Sequence, residues 1–205
     1  LQDDEVREKI NGVLKKAGVK PFENKMEPKH LIWVLVEEVG AKELSKHVKS
    51  PLGGMKVAPF YGCHNMRPMD IFNGRGGERP GYLDEIIKAV GGQVVDYSGK
   101  DKCCGFHYML VKEDDFLKMS GGHSLEAKEK GADVMVSPCT LCDMALGAYQ
   151  ARSEKALGKK IQLPEMSIQQ LVGASFGIEN KRLGMHRLHI DPSKAFAKRS
   201  MNKAS

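Results

Sequence analysis

The chain has 205 residues and a formal charge of +6, and 41% of its residues are hydrophobic while 28% are charged. This is the composition of a folded globular protein, which excludes an intrinsically disordered chain. The longest apolar run, Leu31 to Val36, is far shorter than the roughly 18 residues of a membrane-spanning helix, so we predict no transmembrane segment. Aromatic residues make up only 6%, too few for a base-stacking surface, and we expect no nucleic-acid partner.

Residues 1–50 are predicted to be helical and to form an extension or an inter-domain connection. Apolar residues recur at helical spacing from Glu5 to Lys16, and two further helices are predicted over 28–39 and from there to about Val48. The chain opens with Leu1 rather than Met, and its first residues read like the middle of a protein. We therefore expect a fragment or a processed chain.

Residues 51–180 alternate between apolar strands and amphipathic helices. Strands are predicted over 55–61, 94–97, 132–137 and 160–163. Helices are predicted over 83–90, 113–130 with an interruption allowed at Gly121-Gly122, 140–157 and 167–176. A loop rich in Gly, Arg and Pro spans 64–81, the chain is predicted to be irregular from Gly177, and 181–205 form a polar, basic tail. The alternation predicts the α/β class, with a Rossmann-like, mainly parallel sheet and flanking helices.

Cysteines follow three of the predicted strands. Cys63 comes after the first strand, Cys103 and Cys104 after the second, and Cys139 and Cys142 after the third. Because the carboxyl ends of parallel strands share one edge of a sheet, we expect these five residues to gather there. An odd number of cysteines argues against a secreted disulfide framework, so we expect reduced thiols in a cytoplasmic protein.

The spacing of the cysteines limits the kinds of metal or redox site that they can form. Cys139-Thr140-Leu141-Cys142 is a C-x-x-C at the start of a helix, where the backbone favours thiolates, and it suits a redox dithiol, half a zinc site or half an iron–sulfur site. The adjacent pair Cys103-Cys104 is followed by Gly105, which permits close backbone approach. Four thiolates suffice for zinc or a cubane cluster. A site that uses five must share a sulfur between metals, hold an unusual cluster, or leave one cysteine for other work.

The complete pattern, C-x39-CC-x34-C-x-x-C with Cys-Cys-Gly at its centre, resembles the CCG cysteine-rich domain found in heterodisulfide reductase and its relatives. The flanking residues Phe60-Tyr61-Gly62-Cys63-His64 and Ser137-Pro138-Cys139 are also similar to that family. The resemblance covers about residues 50 to 180 and is closest to the second of the two tandem CCG domains in the reductase's cysteine-rich subunit. It implies a noncubane [4Fe-4S] cluster, disulfide or thiol redox chemistry, and five ligands, namely Cys63, Cys103, Cys104, Cys139 and Cys142.

The resemblance also implies partners. These are an iron–sulfur electron-transfer subunit, a flavin subunit, and a disulfide or thiol substrate, in a complex that can associate with a membrane. Some CCG proteins, including one component of certain succinate:quinone oxidoreductases, are thought to hold zinc in one domain. The alternative function is therefore a non-catalytic zinc-binding or electron-relay subunit of a respiratory or sulfur-oxidising complex. A thioredoxin-like dithiol at Cys139 and Cys142 leaves the other three cysteines unexplained.

Two histidines adjoin the cysteines. His64 follows Cys63, and His107 lies three residues after Cys104. Each is a candidate proton donor to a departing thiolate, and each is equally suited to hydrogen-bond the backbone or a sulfur. Phe106 and His107 stand where relatives often have small residues, and we expect them to change access to the site.

Overall fold

The computed structural model describes residues 3–23, 25, 29–66 and 81–201, which fall into two compact units, Leu1–Leu31 and Ile32–Ser205. In the first unit, helix α1 (Asp4–Lys16) begins after Asp3, whose carboxylate accepts a hydrogen bond of 3.2 Å from the Val6 N–H. The side chain of Asn11 makes two hydrogen bonds, of 2.6 and 3.2 Å, with the backbone of Phe22. These bonds fix the chain segment after the helix, and the helix predicted from Glu5 to Lys16 is confirmed.

Three short helical segments lie at the start of the second unit, the first of which begins at the boundary residue Leu31. Helix α2 (Leu31–Trp33) continues directly as a π-helix (Val34–Val39), and α3 (Ala41–Lys46) follows. Gly40, with a φ of +78°, makes the turn between them. The helices predicted here are confirmed from residue 31 onward, whereas 26–28 lie outside the described residues.

A four-stranded parallel sheet forms the centre of the second unit. Its strands are β1 (Lys56–Pro59), β2 (Gln93–Val94), β3 (Val134–Ser137) and β4 (Glu165–Ser167), in the order β2-β1-β3-β4. All three pairings are parallel, as the sequence predicts. In register, Val57 lies beside both Val94 and Val134.

Helices and short turns connect the strands or follow the last of them. They are α4 (Cys63–Met66), α5 (Tyr82–Ala89), a 3-10 turn (Phe106–Tyr108), α6 (Glu113–Glu129), α7 (Thr140–Asp143), a π-helix (Met144–Ala148), α8 (Gln150–Leu157), α9 (Ile168–Ser175), a second 3-10 turn (Met185–Arg187) and α10 (Ser193–Met201). Among the residues described, none of these helices combines the length and the apolar character that crossing a bilayer requires. The loop predicted over 64–81 is wrong at 64–66, which belong to α4, and 67–80 lie outside the described residues.

Each face of the sheet is covered by its own apolar cluster. Alternate residues of β3 divide between the two clusters: Val134 and Val136 pack on one side with Leu83 of α5, and Met135 packs on the other with Phe116 of α6. A parallel sheet buried on both faces is the arrangement of doubly wound α/β proteins, so the predicted fold class is confirmed.

Helix α6 runs without interruption through Gly121 and Gly122, where the sequence allowed a break. A Cβ atom on Gly121 would lie only 2.6 Å from the Cβ of Ser153 and 2.8 Å from Cδ1 of Leu157. The glycine therefore serves close packing of α6 against α8. The single helix predicted over 140–157 is instead divided into α7, the π-helix and α8.

Two expectations about the C-terminal third are wrong. The fourth strand is β4 at Glu165–Ser167 rather than 160–163. The N–H groups of Ile161 and Gln162 donate instead to the Glu154 carboxylate, at 2.8 and 3.0 Å. The chain after Gly177 is not irregular throughout, because α10 forms within the segment 181–205 and buries Phe196 in the core.

Candidate metal centre

The order of the strands brings the cysteine-bearing loops together. β1 is a central strand, and the chain passes to β2 on one side of it before it returns to β3 on the other. The loops that follow β1 and β3 therefore leave in opposite directions and open a crevice at the carboxyl edge of the sheet. Cys63 begins α4 just after β1, and Cys139 lies two residues after β3.

All five predicted cysteines meet in this crevice. The thiols are hydrogen-bonded in the pairs Cys63–Cys103, Cys104–Cys142 and Cys139–Cys142, and Cys63 is close enough to Cys104 and Cys139 to respond to their charge. All five are free thiols. Cys104 and Cys142 are buried, whereas Cys63, Cys103 and Cys139 are half-buried. The predicted convergence of the cysteines is confirmed, and three of the five sulfurs belong to residues on the accessible side.

Backbone N–H groups of the Cys-Cys-Gly segment point at its own sulfurs. The Gly105 N–H donates to Sγ of Cys103 at 3.3 Å, and the Phe106 N–H donates to the Cys104 sulfur. Gly105 has a φ of +80°, a left-handed conformation that a residue with a Cβ adopts only with strain. The glycine thus allows the turn that aims both N–H groups.

The C-x-x-C segment has the same kind of support. The N–H groups of Leu141 and Cys142, in the first turn of α7, donate to the sulfur of Cys139. Gly62 lies against this segment with a φ of +73°, and a Cβ there would be 3.5 Å from both Cβ of Cys139 and Sγ of Cys142. The backbone before Cys63 therefore contacts the C-x-x-C directly.

Tyr61 ties the Cys63 loop to its surroundings. Its N–H donates to the carbonyl of Lys100 at 2.8 Å, which joins the loop after β1 to the segment before Cys103. Its hydroxyl donates to the Asp84 carboxylate of α5, and its carbonyl accepts from the Asn65 side chain at 3.4 Å. Burial and the bond to Asp84 raise the pKa of Tyr61 well above its usual value, so the phenol stays a donor.

The thiols differ in how readily they ionise. Hydrogen bonds from the Cys142 thiol and from backbone N–H groups lower the pKa of Cys139 to about 5, and a bond from Cys142 also lowers the pKa of Cys104. Cys142 lies between these two sulfurs and has one proton to donate to either of them, and this hydrogen bonding together with burial raises its pKa. Burial, with repulsion from Cys103, raises the pKa of Cys63 to about 11. Cys104 and Cys139 are therefore the thiols that most favour the metal-binding thiolate form.

The two candidate proton donors lie together beside the thiols. The rings of His64 and His107 are 5.3 Å apart, and both residues are exposed. His64 is near enough to lower the pKa of Cys139 by its charge. Phe106 packs edge-on against His107, with ring centroids 6.2 Å apart. The structure thus brings both imidazoles to the accessible side of the cysteine cluster.

Two residues of α6 that sequence reasoning passed over hold the loop with the vicinal cysteines. Nε2 of the half-buried His123 lies 3.0 Å from the Cys103 carbonyl oxygen, which can only accept, so the imidazole donates. One turn later, the Glu126 carboxylate accepts from the N–H groups of Ser98 and Gly99 at 2.8 and 3.1 Å. In the sequence, the only indication of this role is that His123 and Glu126 are three residues apart and so lie on the same face of the predicted helix.

We expect His123→Leu to lower the free energy of unfolding of the metal-free chain by about 1–3 kcal/mol, because the Cys103 carbonyl loses its donor in a half-buried site. Urea denaturation measures the change. The control is His186→Leu at an exposed position, which should change stability by less than about 0.5 kcal/mol. Equal midpoints for the two variants would remove His123 from the support of the loop.

The chemistry of the five thiols suits a thiolate-bound cluster, although their present arrangement is not that of a metal site. Within residues 3–23, 25, 29–66 and 81–201, no group of three or more His, Cys, Asp or Glu side chains is arranged to hold a metal ion. The five sulfurs instead form paired contacts that extend from Cys63 to Cys139. Sulfur ligands with N–H donors aimed at them are characteristic of protein-bound iron–sulfur clusters.

Comparison with known proteins agrees with these features. Residues 57–147 match the family model of the CCG cysteine-rich domain. The chain is 36% identical over 192 residues to the 8-methylmenaquinol:fumarate reductase membrane anchor subunit of Wolinella succinogenes, an alignment that covers 94% of this chain and 66% of that protein. It is 30% identical over 200 residues to one subunit of the ferredoxin:CoB-CoM heterodisulfide reductase of Methanosarcina mazei, covering 96% and 66%. The chain thus spans about two thirds of each relative.

A solved structure shares the fold. The crystal structure of a hypothetical protein from Helicobacter pylori superimposes with a TM-score of 0.66 at 15% identity, covering 91% of this chain and 33% of that one. At this identity the likeness concerns the fold alone.

Proposed function

We propose that this chain, which carries a CCG cysteine-rich domain and so belongs to the family of proteins with that domain, is an iron–sulfur subunit of a multi-subunit reductase. The observation that carries the proposal is the meeting of five thiols from the loops after three neighbouring strands. We further propose that Cys63, Cys103, Cys104, Cys139 and Cys142 bind a noncubane [4Fe-4S] cluster. Zinc, the alternative metal, takes four thiolates and leaves the fifth without a role.

Such a cluster supplies single-electron transfer and an iron that binds sulfur. The chain's own residues define the rest of the site. Cys104 and Cys142 are buried and form its inner side, whereas Cys63, Cys103 and Cys139 border the side that solvent reaches. We expect a disulfide or thiol substrate to approach from this side, where Phe106 and His107 limit access.

The imidazoles are proposed to handle protons. Cleavage of a disulfide to two thiols consumes two electrons and two protons, and each departing thiolate needs a proton donor. His64 and His107 lie 5.3 Å apart at the exposed side, where a substrate sulfur would leave. We assign them the role of holding a proton for the leaving sulfur.

Electrons and partners come from outside the chain. We propose an iron–sulfur electron-transfer subunit as the immediate donor and a flavin subunit beyond it, as the resemblance to heterodisulfide reductase implies. Two of the similar proteins are subunits of ferredoxin-dependent reductases. The chain would serve as the second of two tandem CCG domains. Five free cysteines are typical of a reducing compartment, which favours the cytoplasm.

A second candidate is a subunit that relays electrons or binds zinc without catalysis, in a membrane-associated respiratory complex. The 36% identity to the fumarate reductase membrane anchor subunit favours it. This function uses the same cysteine site but needs no proton donors. Substitution of His64 and His107 by Gln therefore separates the two candidates: it should slow disulfide reduction in the assembled complex while electron transfer through the subunit continues.

Metal analysis of the full chain, purified without oxygen, tests the main proposal. We expect about four irons and four acid-labile sulfides per chain, with visible absorption and an electron paramagnetic resonance signal in one redox state. The two measurements also separate the cluster from adventitious iron, which brings no sulfide. One zinc per chain without visible absorption would contradict the iron–sulfur assignment.

A further inference from the structure

A chain of hydrogen-bonded side chains lies behind the C-x-x-C segment. The Ser137 hydroxyl, at the end of β3, accepts from the Cys139 N–H at 3.4 Å and lies 3.1 Å from the Cys139 carbonyl. The same hydroxyl donates to the carboxylate of Asp143, the last residue of α7. Asp143 in turn is hydrogen-bonded to Glu165 of β4. The network therefore links two neighbouring strands to the residue that begins the C-x-x-C.

Glu165 is an unusual residue for its position. It lies on β4, the edge strand of the sheet, yet only 5% of its surface is exposed, and its Oε1 has no hydrogen-bond partner among the described residues. Gly147 in the π-helix leaves room for the carboxyl, because a Cβ there would be 3.3 Å from its Oε2. A buried carboxyl with an unsatisfied oxygen opposes folding, so its presence indicates a purpose other than packing.

The direction of the bond between the two carboxyls follows from their burial. Burial raises the pKa of Glu165 well above its usual value, and the neighbouring Asp143 adds to the rise. A hydrogen bond between two carboxyls requires a proton on one of them. Burial raises the pKa of both groups, and more strongly that of the buried Glu165 than that of the half-buried Asp143, so we place the proton on Glu165 as the donor. Asp143 is then an acceptor on two sides, from Glu165 and from Ser137.

We propose that Glu165 is a positioning residue of the cysteine site, holding Cys139 in place through Asp143 and Ser137. The inference rests on the proposed function, because the site that is positioned is the one assigned to the cluster. Residues that orient metal ligands from behind act on the ligand's geometry and on the strength of its bonds, and their loss typically costs 10- to 100-fold in metal affinity. Glu165 reaches Cys139 from a strand that contributes no ligand of its own.

Two substitutions of Glu165 form the test. Glu165→Leu removes the donor to Asp143, whereas Glu165→Gln retains an N–H donor of similar shape. In the reconstituted full chain, we expect Glu165→Leu to lose iron to a chelator about 10- to 100-fold more readily and to alter the paramagnetic resonance spectrum. Glu165→Gln should restore wild-type values. A spectrum and iron retention unchanged in Glu165→Leu would overturn the proposal.

A second measurement does not depend on iron. In the metal-free chain, the rate at which iodoacetamide labels Cys139 reports its thiolate, and we expect Glu165→Leu to slow labelling about threefold or more. Ser137→Ala should also slow the labelling of Cys139, and this variant replaces Glu165→Leu in the test if Glu165→Leu does not fold. A wild-type rate in these variants overturns the positioning role, whereas absence of iron from the wild type contradicts only the proposed function.

Glu154→Leu is the matched control. Glu154 also holds backbone N–H groups near β4, those of Ile161 and Gln162, but it makes no bond in the Ser137–Asp143–Glu165 network. We expect this variant to lose stability while its Cys139 labelling rate stays at the wild-type value. Equal slowing in Glu154→Leu and Glu165→Leu would reduce the effect to general destabilisation and so overturn the proposal.

Discussion

Replacement of Cys142 by alanine is expected to leave less than about a tenth of the wild-type iron on the chain. Cys142 is only 2% exposed, and its thiol contacts both Cys104 and Cys139. Its removal therefore separates the vicinal pair from the C-x-x-C at the innermost point of the site. Iron and sulfide analysis after anaerobic reconstitution measures the loss.

The control for this variant is Ile161→Val. Ile161 is fully buried in the same apolar cluster as Cys142 and contacts no metal ligand in the proposed site. The Ile161→Val variant should lose about 0.5–1.5 kcal/mol of unfolding free energy and retain its iron. Retention of wild-type iron by Cys142→Ala would exclude a five-cysteine cluster.

Phe116→Ala is expected to lower the free energy of unfolding by about 3–5 kcal/mol. The ring is fully buried and packs edge-on against Tyr149 at a centroid distance of 5.2 Å. One ring carbon also lies 3.5 Å from where a Cβ on Gly105 would stand, so the ring supports the turn after the vicinal cysteines. We therefore expect the variant to lose iron more readily as well as to unfold earlier in urea.

An exposed aliphatic residue near the same turn provides the comparison. Leu110 is 89% exposed, and Leu110→Ala should change stability by less than about 0.5 kcal/mol. A similar loss in both variants would mean that Phe116 does not act through burial. Thermal and urea unfolding of the metal-free chains give the two values directly.

The position of the site was predictable because it depends on topology. Apolar runs before Cys63, before the vicinal pair and before Cys139 indicate strands, and parallel strands bring their carboxyl ends to one edge. The structure adds that β1, flanked by β2 and β3, is where the connections change direction. The meeting of the cysteines at one edge could be predicted from the sequence, because each cysteine comes soon after a predicted strand.

Other features depend on side-chain partners far along the chain and were not predictable. The apolar segment 160–163 reads as a strand, but Glu154 and Gln150 take its N–H groups, and Gln162 has a φ of +50° that no strand allows. The roles of His123 and Glu165 likewise arise only when a helix or strand packs beside the cysteine loops. In the sequence, His123 is one histidine among several and Glu165 is an isolated acidic residue, so neither role can be recognised there.

The packing at Gly121 has a consequence for the spacing of the sulfurs. Gly121 lets α6 lie directly on α8, while His123 on the same helix holds the Cys103 carbonyl and α8 follows the segment that begins at Cys139. A bulkier residue at 121 would push α6 and α8 apart. Because α6 holds the Cys103 loop and α8 follows the Cys139 segment, the two halves of the cysteine cluster would move apart as well. We therefore expect Gly121 to help set the distance between the two halves of the cysteine cluster, although it contacts neither of them.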